Sequence, residues 1–216
     1  GSGTRPRSGG RPDHRRGSVV LDPLPMPWER SGVIHQSPLP DVEIPDVPLS
    51  AYVLERAAEL GDKPALIDGP TGRVVTYAQL LDQVRRLAGG LAARGFGPGD
   101  VLALMAPNVP EYAVVFHGVA TAGGTITTIN PTYTASEVHH QLTDAGASLL
   151  ITIPMFLETA REGAAGTGVT DIFVLGDAVS GAASAAELFG EPTDQVPVAS
   201  DSVVALPYSS GTTGLS

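Results

Sequence analysis

The chain has 216 residues, 42% of them hydrophobic, and a formal net charge of −10. That is length enough for one substantial core, or a core with a small lobe, and the acidic balance argues against a nucleic-acid surface, which needs a clustered basic face. Cysteine is absent, which excludes a disulfide framework, a thiolate nucleophile and a Cys-based metal site and fits a reducing cytoplasm; no apolar run approaches the roughly 18 residues of a membrane span.

Residues 1–18 are the basic exception. Arg5, Arg7, Arg11, Arg15 and Arg16 stand against Asp13 alone, among Gly, Ser and Pro with almost nothing apolar to bury. Such a composition is expected to be disordered. The opening Gly-Ser-Gly reads as an expression scar, and no signal-peptide apolar region follows. Over residues 19–48 proline recurs at 23, 25, 27, 38, 40, 45 and 48, which predicts an extended surface strap rather than a helix or a central strand. Trp28 and Tyr52 are expected to pack on it. Residues 49–216 carry the regular structure.

Tyr52, Val53, Ala57 and Leu60 lie at helical spacing and Gly61 marks a stop. Pro64 to Asp68 and Val74 to Thr76 read as short strands around a turn. Thr76 and Gln79 form a capping box, followed by Leu80, Val84, Leu87 and Leu91 on one face of a helix that Gly95 closes. The turn Gly97-Pro98-Gly99-Asp100 feeds Val101–Ala106, an unbroken apolar run typical of a strand covered on both faces. A helix from Pro110 to Ala122 begins with proline, as a first turn allows. A β-branched strand, Thr125 to Ile129, turns at Asn130-Pro131 into a second capping box, Thr134 with Glu137, opening a helix that ends near Gly146. Leu149 to Ile153 and Ile172 to Leu175 read as strands, Met155 to Glu162 as a helix, and Ser184 to Phe189 as a short helix. No internal repeat is visible. Strands alternating with helices of this length imply an α/β fold with a mostly parallel sheet.

The last strand, Val203 to Pro207, is expected to be buried and empties into Tyr-Ser-Ser-Gly-Thr-Thr-Gly-Leu-Ser, residues 208–216. Glycines let the main chain turn sharply near a ligand, successive N–H groups form an anion-binding nest, and the Ser and Thr hydroxyls add donors. In parallel sheets ligands bind beyond the carboxyl ends of strands. The spacing excludes a Walker A loop, because Leu215 and Ser216 follow Gly214 where Lys and Ser/Thr are required. Read alone, the segment is either a phosphate loop or a flexible Ser/Gly tail.

Tyr208–Leu215 resembles the phosphate loop of the adenylate-forming superfamily, whose members include acyl-CoA ligases, beetle luciferases and peptide-synthetase adenylation domains. Upstream stretches fit in order. Thr76-Tyr77, the following helix and Gly97-Pro98-Gly99-Asp100-Val101 are similar to an early family pattern, and so are Asn108 to Glu111 and Gly118 to Gly124. Asn130-Pro131-Thr132-Tyr133-Thr134 with Glu137 most resembles the 4-coumarate–CoA ligase branch. The likeness covers about residues 49–216 and implies the first part of a large N-terminal domain.

The resemblance implies a two-step reaction. A carboxylate attacks the α-phosphate of Mg-ATP, giving an acyl-adenylate and pyrophosphate; the thiol of coenzyme A then displaces AMP. By the resemblance, Ser209, Ser210, Gly211, Thr212 and Thr213 contact the ATP phosphates and Gly214 gives the loop its flexibility. The substrate would be a small-molecule carboxylic acid, with ATP, Mg2+ and coenzyme A as the other participants. The family loop continues Pro-Lys-Gly, whereas Ser216 stands at the Pro position and the Lys is not present. No catalytic residue is therefore assigned within these residues, and the chain is expected to be inactive alone. A fatty-acyl ligase, an enzyme loading a carrier protein, and a non-catalytic α/β binding module are the alternatives. The loop is expected to be poorly ordered, ATP affinity weak, and the last strand to expose an edge through which the chain self-associates.

Other candidates read as structural. His139 and His140 are adjacent on a helix and point about 100° apart, which fits a solvated face better than a shared metal. His117 lies among apolar neighbours as a satisfied, partly buried histidine. Asp144, Asp171 and Asp177 show no dyad spacing. Gly118, Gly123 and Gly124 read as close helix–sheet packing.

Overall fold

A computed structural model of the chain describes Gly1, residues 38–40 and residues 42–209. The chain divides into a unit of residues 1–44 and a unit of residues 45–216. The described residues of the first unit carry no helix or strand; most of the arm and strap, Trp28 included, lies outside the described residues.

The second unit is organised by alternation along one strand, β3 (Val101–Met105). Leu102 and Leu104 face one apolar cluster, while Ala103 and Met105 face another. All four are fully buried. A strand covered on both faces is what its unbroken apolar run predicts. On the first face lie α3 (Tyr77–Ala93) and α4 (Pro110–Thr121), which supply Leu80, Val84, Leu87, Leu91, Val114, Val115 and Val119. On the second lies α5 (Ala135–Ala145) with Val138 and Leu142, and α6 (Leu157–Ala164) with Ala160.

Around β3 the strands β4 (Thr125–Thr128), β5 (Leu149–Thr152), β6 (Asp171–Val174), β7 (Ala183–Ser184) and β8 (Ala205–Pro207) form a six-stranded sheet in the order β7-β6-β5-β3-β4-β8. Every neighbouring pair is parallel. A separate antiparallel pair, β1 (Pro64–Ile67) and β2 (Val74–Thr76), leads into α3.

Both predicted capping boxes form. Gln79 N–H donates to Thr76 Oγ1 at 3.2 Å while Thr76 N–H donates to Gln79 Oε1 at 2.9 Å. Thr134 and Glu137 repeat the pattern at the start of α5, and Gly146 closes that helix in the left-handed conformation at φ +65°. Before β3, Asp100 folds the Gly97–Asp100 turn by accepting from Gly97 N–H at 2.8 Å.

Four expectations are corrected. The helix read from residue 50 to Gly61 is two, α1 (Leu49–Leu54) and α2 (Ala57–Leu60), separated where Arg56 leaves helical dihedrals at φ −95°, ψ 3°. The short helix near residues 184–189 is present but is a 3-10 helix, Ala185–Leu188, which Ser184 caps by accepting from Ala186 N–H, and the strand β7 runs into it. The last strand is half-buried rather than buried, because among the described residues only β4 pairs with it. Gly118 opens space between two helices rather than between helix and sheet: a Cβ there would meet Leu87 Cδ2 at 2.6 Å.

Residues 189–204 carry the chain from β7 at one edge to β8 at the other, across α3 and the end of α4. Gly190 N–H donates to Arg86 O at 2.9 Å, Thr193 N–H to Arg85 O at 3.0 Å and Val196 N–H to Thr121 O at 2.8 Å. This path lies against α3 at two glycines. A Cβ on Gly89 would sit 1.8 Å from Glu191 O, and one on Gly90 would sit 1.8 Å from Leu188 O. Gly90→Ala is therefore expected to destabilise the fold by about 1–3 kcal/mol, overpacking outweighing the roughly 1 kcal/mol that alanine gains in a helix. Urea unfolding of wild type and variant measures it.

Candidate phosphate-binding site

All six strands of the sheet run the same way, so their carboxyl ends share one side, the side on which such sheets take ligands. Several depressions open among the described residues, one of them, of about 350 Å³, beside Asn108 and Pro110 after β3, and two more lie on opposite sides of the sheet. One of about 400 Å³, lined by Arg94, Asp100, Ser148 and Asp171, is at the amino ends. One of about 320 Å³, lined by Leu87, Val114, Ile151, Phe189, Glu111 and Asp177, is at the carboxyl ends of β5 and β6. The larger is on the wrong side for a ligand. The smaller is mostly apolar, and Arg73 Nη2 already occupies Glu111 at 2.5 Å.

The predicted phosphate loop begins at the carboxyl end of β8. Ser209 follows Tyr208 there and is exposed. Ser210, Gly211, Thr212, Thr213 and Gly214 lie outside the described residues.

What roots the loop is well defined. Pro207 ends the β8 ladder opposite Thr128; proline has no N–H to extend it. Ahead of that stop, β4 grips β8 with side chains as well as backbone. Ile126 N–H donates to Val204 O at 2.9 Å, Thr125 Oγ1 donates to Val203 O at 2.8 Å, and Thr127 Oγ1 to Leu206 O at 3.0 Å. Thr127 is itself held by Gln141 of α5. Gln141 is 1% exposed, and its Nε2 donates to Thr127 Oγ1 at 2.8 Å and to Thr128 O at 3.0 Å. Its Oε1 has no hydrogen-bond partner. One turn on from Gln141, Asp144 accepts a hydrogen bond from the Tyr208 hydroxyl. Burial, then the hydrogen bond to Asp144 and its charge, push the Tyr208 phenol up to about 12, so it remains a donor throughout the neutral range.

The other polar candidates stay apart from this site. His117 Nδ1 is 2.9 Å from Ser50 Oγ, and burial lowers its pKa. His139 and His140 are exposed, with His139 Nδ1 3.1 Å from Gly163 O. Among the described residues no three His, Asp or Glu groups come together to hold a metal, and no helix is long and apolar enough to cross a membrane. The partnership of Asp144 with Tyr208 had no signal in the sequence, because 64 residues separate them.

Residues 53–216 match the family model described as AMP-binding enzyme. The chain belongs to that family. It is 46% identical over 186 residues to 4-coumarate–CoA ligase 3 of Oryza sativa subsp. japonica, covering 85% of this chain and 33% of that protein. It is 38% identical to 4-coumarate–CoA ligase 1 of Petroselinum crispum, covering 86% and 35%. The chain thus spans about a third of the length of these curated relatives. The fold matches a long-chain-fatty-acid–CoA ligase from Archaeoglobus fulgidus with a TM-score of 0.72 at 24% identity, over 81% of this chain and 36% of that one. An anthranilate–CoA ligase in complex with anthranoyl-AMP matches with a TM-score of 0.70 at 22% identity, over 79% and 33%. The α/β architecture is shared with both of these structures over about a third of their length.

Since α5 holds the loop's root, its own start matters. Hydrogen bonds from Thr134, backbone first and hydroxyl second, hold the Glu137 carboxyl below its ordinary value. A depressed carboxylate stabilises the fold above its unfolded pKa and loses that contribution as pH falls through its folded pKa. Glu137→Gln keeps the cap without the titration. Wild type is expected to lose stability relative to this variant as pH drops from the ordinary glutamate range into more acid solution, as read by urea midpoints against pH.

Proposed function

We propose that this chain serves an ATP-dependent ligation of a carboxylic acid to coenzyme A, and that residues 209–214 hold the β- and γ-phosphates of ATP. The observation that carries the reading is the Ser/Thr/Gly loop at the carboxyl end of a parallel strand, in a chain 46% identical to a 4-coumarate–CoA ligase. The acid proposed is 4-coumarate or a close aromatic relative; a fatty acid is the second reading, supported by the fold match to a fatty-acid ligase.

In the proposed first step a carboxylate oxygen forms a bond to the α-phosphorus of ATP while the bond to the bridging oxygen breaks and pyrophosphate leaves. In the second, the sulfur of coenzyme A attacks the acyl carbon and AMP leaves. The contribution of this chain is positioning: N–H groups and hydroxyls that fix the outer phosphates align the α-phosphate and balance its charge. Mg2+ bound with ATP would neutralise phosphate charge, usually through one or two carboxylates. The proposed location is the cytoplasm.

The test is pyrophosphate release from ATP with a panel of aromatic and aliphatic acids. A protein extended to the length of the relatives is expected to turn over, fastest with 4-coumarate, and the 216 residues alone are expected not to. ATP binding without pyrophosphate release for any acid would replace the ligase reading with that of a binding module.

The outer edge of β8 is unpaired among the described residues and Val203 is 60% exposed. Such edges recruit further strands. We expect the 216-residue chain to sediment as more than a monomer, and a monomer at all concentrations would refute association through β8.

A further inference from the structure

We propose that α1 is a pH-released flap: the contact between Ser50 and His117 holds it on α4 at neutral pH, and proton uptake by His117 lets it swing away about Arg56.

Three observations carry this. The first is how lightly α1 is held. It has six residues and no side-chain cap at its start, and a helix so short is unstable by itself. Only Ser50 and Leu54 are buried, while Leu49, Tyr52 and Val53 are exposed. Among the described residues the only side-chain hydrogen bond of α1 joins Ser50 Oγ to His117 Nδ1, at 2.9 Å. An element with so few anchors opens at low cost.

The second is the setting of the ring. His117 is half-buried, edge-on to Phe116 with centroids 5.4 Å apart. It lines a depression with Leu66, Tyr112, Ala113 and Asp68. The charged groups of the surrounding elements are committed elsewhere or exposed. Asp68, on the turn between β1 and β2, accepts from Thr71 Oγ1. On α3, Asp82 pairs with Arg86 and Arg85 with Asp194; on α4, Glu111 pairs with Arg73; Glu55, at the end of α1, is exposed. Burial therefore lowers the pKa of His117. A neutral ring accepts at Nδ1, whereas a protonated ring donates at both nitrogens. Protonation thus takes the acceptor from the Ser50 hydroxyl and leaves a half-buried charge with no counter-ion bonded to it. Opening α1 lets water reach both. The closed form has its full advantage above about pH 6.5, the value of a free imidazole. It loses that advantage as pH falls below 6.5 towards the lowered value.

The third is a hinge. Arg56 breaks α1 from α2 at φ −95°, ψ 3°. Beyond it the chain is fixed: Ala57 is buried, Ala78 N–H donates to Gly61 O at 2.9 Å and Tyr77 N–H to Lys63 O at 3.1 Å. Ahead of α1, Ser200 Oγ donates to Asp46 at the exposed surface, where water competes for the bond. A movement that begins at Ser50 therefore ends at Arg56. It would bare Leu81 and Val84 of α3, which line a depression with Ser50, Ala51 and Leu54.

Hydrogen exchange of the ligase-length protein, read by mass spectrometry and corrected for the intrinsic pH dependence of amide exchange, tests the flap. From pH 7.5 to 5.5 the opening constant of α1 is expected to rise about three- to tenfold, one proton giving at most tenfold per pH unit. Peptides from α5 should stay within about twofold. His117→Asn should abolish the acid response. Ser50→Ala should raise α1 opening about three- to tenfold at pH 7.5, the range of one hydrogen bond. An acid response that survives in His117→Asn, an unchanged α1 in Ser50→Ala, or α5 loosening in step with α1 would each overturn the flap. So would a wild-type His117 ring that titrates, as followed by NMR, while α1 keeps its protection, a reading that needs no variant.

Discussion

The position of β3 between two apolar layers is the constraint on which the rest of the second unit depends. Successive side chains of a strand point to opposite faces, so Leu102 and Leu104 belong to one core and Ala103 and Met105 to the other. A slip of one residue would exchange the two sets. The large leucines would then face α5, where a small Ala103 now lets Val138 and Leu142 approach. That register sets β4 and β5 on either side. Through β4 it sets β8, and through β8 the root of the loop. The root of the candidate site is thus located by core packing two strands away, not by its own polar residues.

The second unit also depends on how closely residues 189–204 lie on α3. Two consecutive glycines inside a helix each cost about 1 kcal/mol relative to alanine. Here the cost is met by main-chain hydrogen bonds from Gly190 and Thr193 to α3 carbonyls, and Arg85 adds an ion pair with Asp194 at 2.6 Å. The ion pair is largely exposed and contributes little. Close backbone contact, which only glycine allows, holds the crossing in place.

Much of this was legible in the chain itself. The two capping boxes, the Gly95 and Gly146 stops, and the amphipathic spacing of Leu80, Val84, Leu87 and Leu91 are local signals, and each appears where the residues imply. The apolar run of β3 announced a doubly covered strand. What could not be read depends on distant partners. A two-residue strand such as β7 has no periodicity to detect. The half-burial of β8 follows from its edge position in the sheet order, which no local pattern encodes. Gly89-Gly90 is a local signal of a different kind: paired glycines in a helix point to another backbone lying against it. At the candidate site the loop was visible as composition, while Thr127, Gln141 and Asp144 were not, because each acts across 14 to 79 residues of chain.

The threonines of β4 have a consequence for the order of folding. Bringing β8 to β4 closes a long loop, an entropic cost that must be met before the pairing returns anything, and parallel pairings of this separation form slowly. Among the described residues β8 pairs only with β4, so it has no partner strand until β4 is in place. In that interval β4 is the open edge of the growing sheet, and an apolar edge would capture a strand from another chain. Its sequence is Thr-Ile-Thr-Thr, with one apolar side chain among three hydroxyls. Thr125 and Thr127, which donate to Val203 and Leu206 in the folded chain, can bond water before β8 arrives. The residues that receive the correct strand thereby act as gatekeepers against a wrong one.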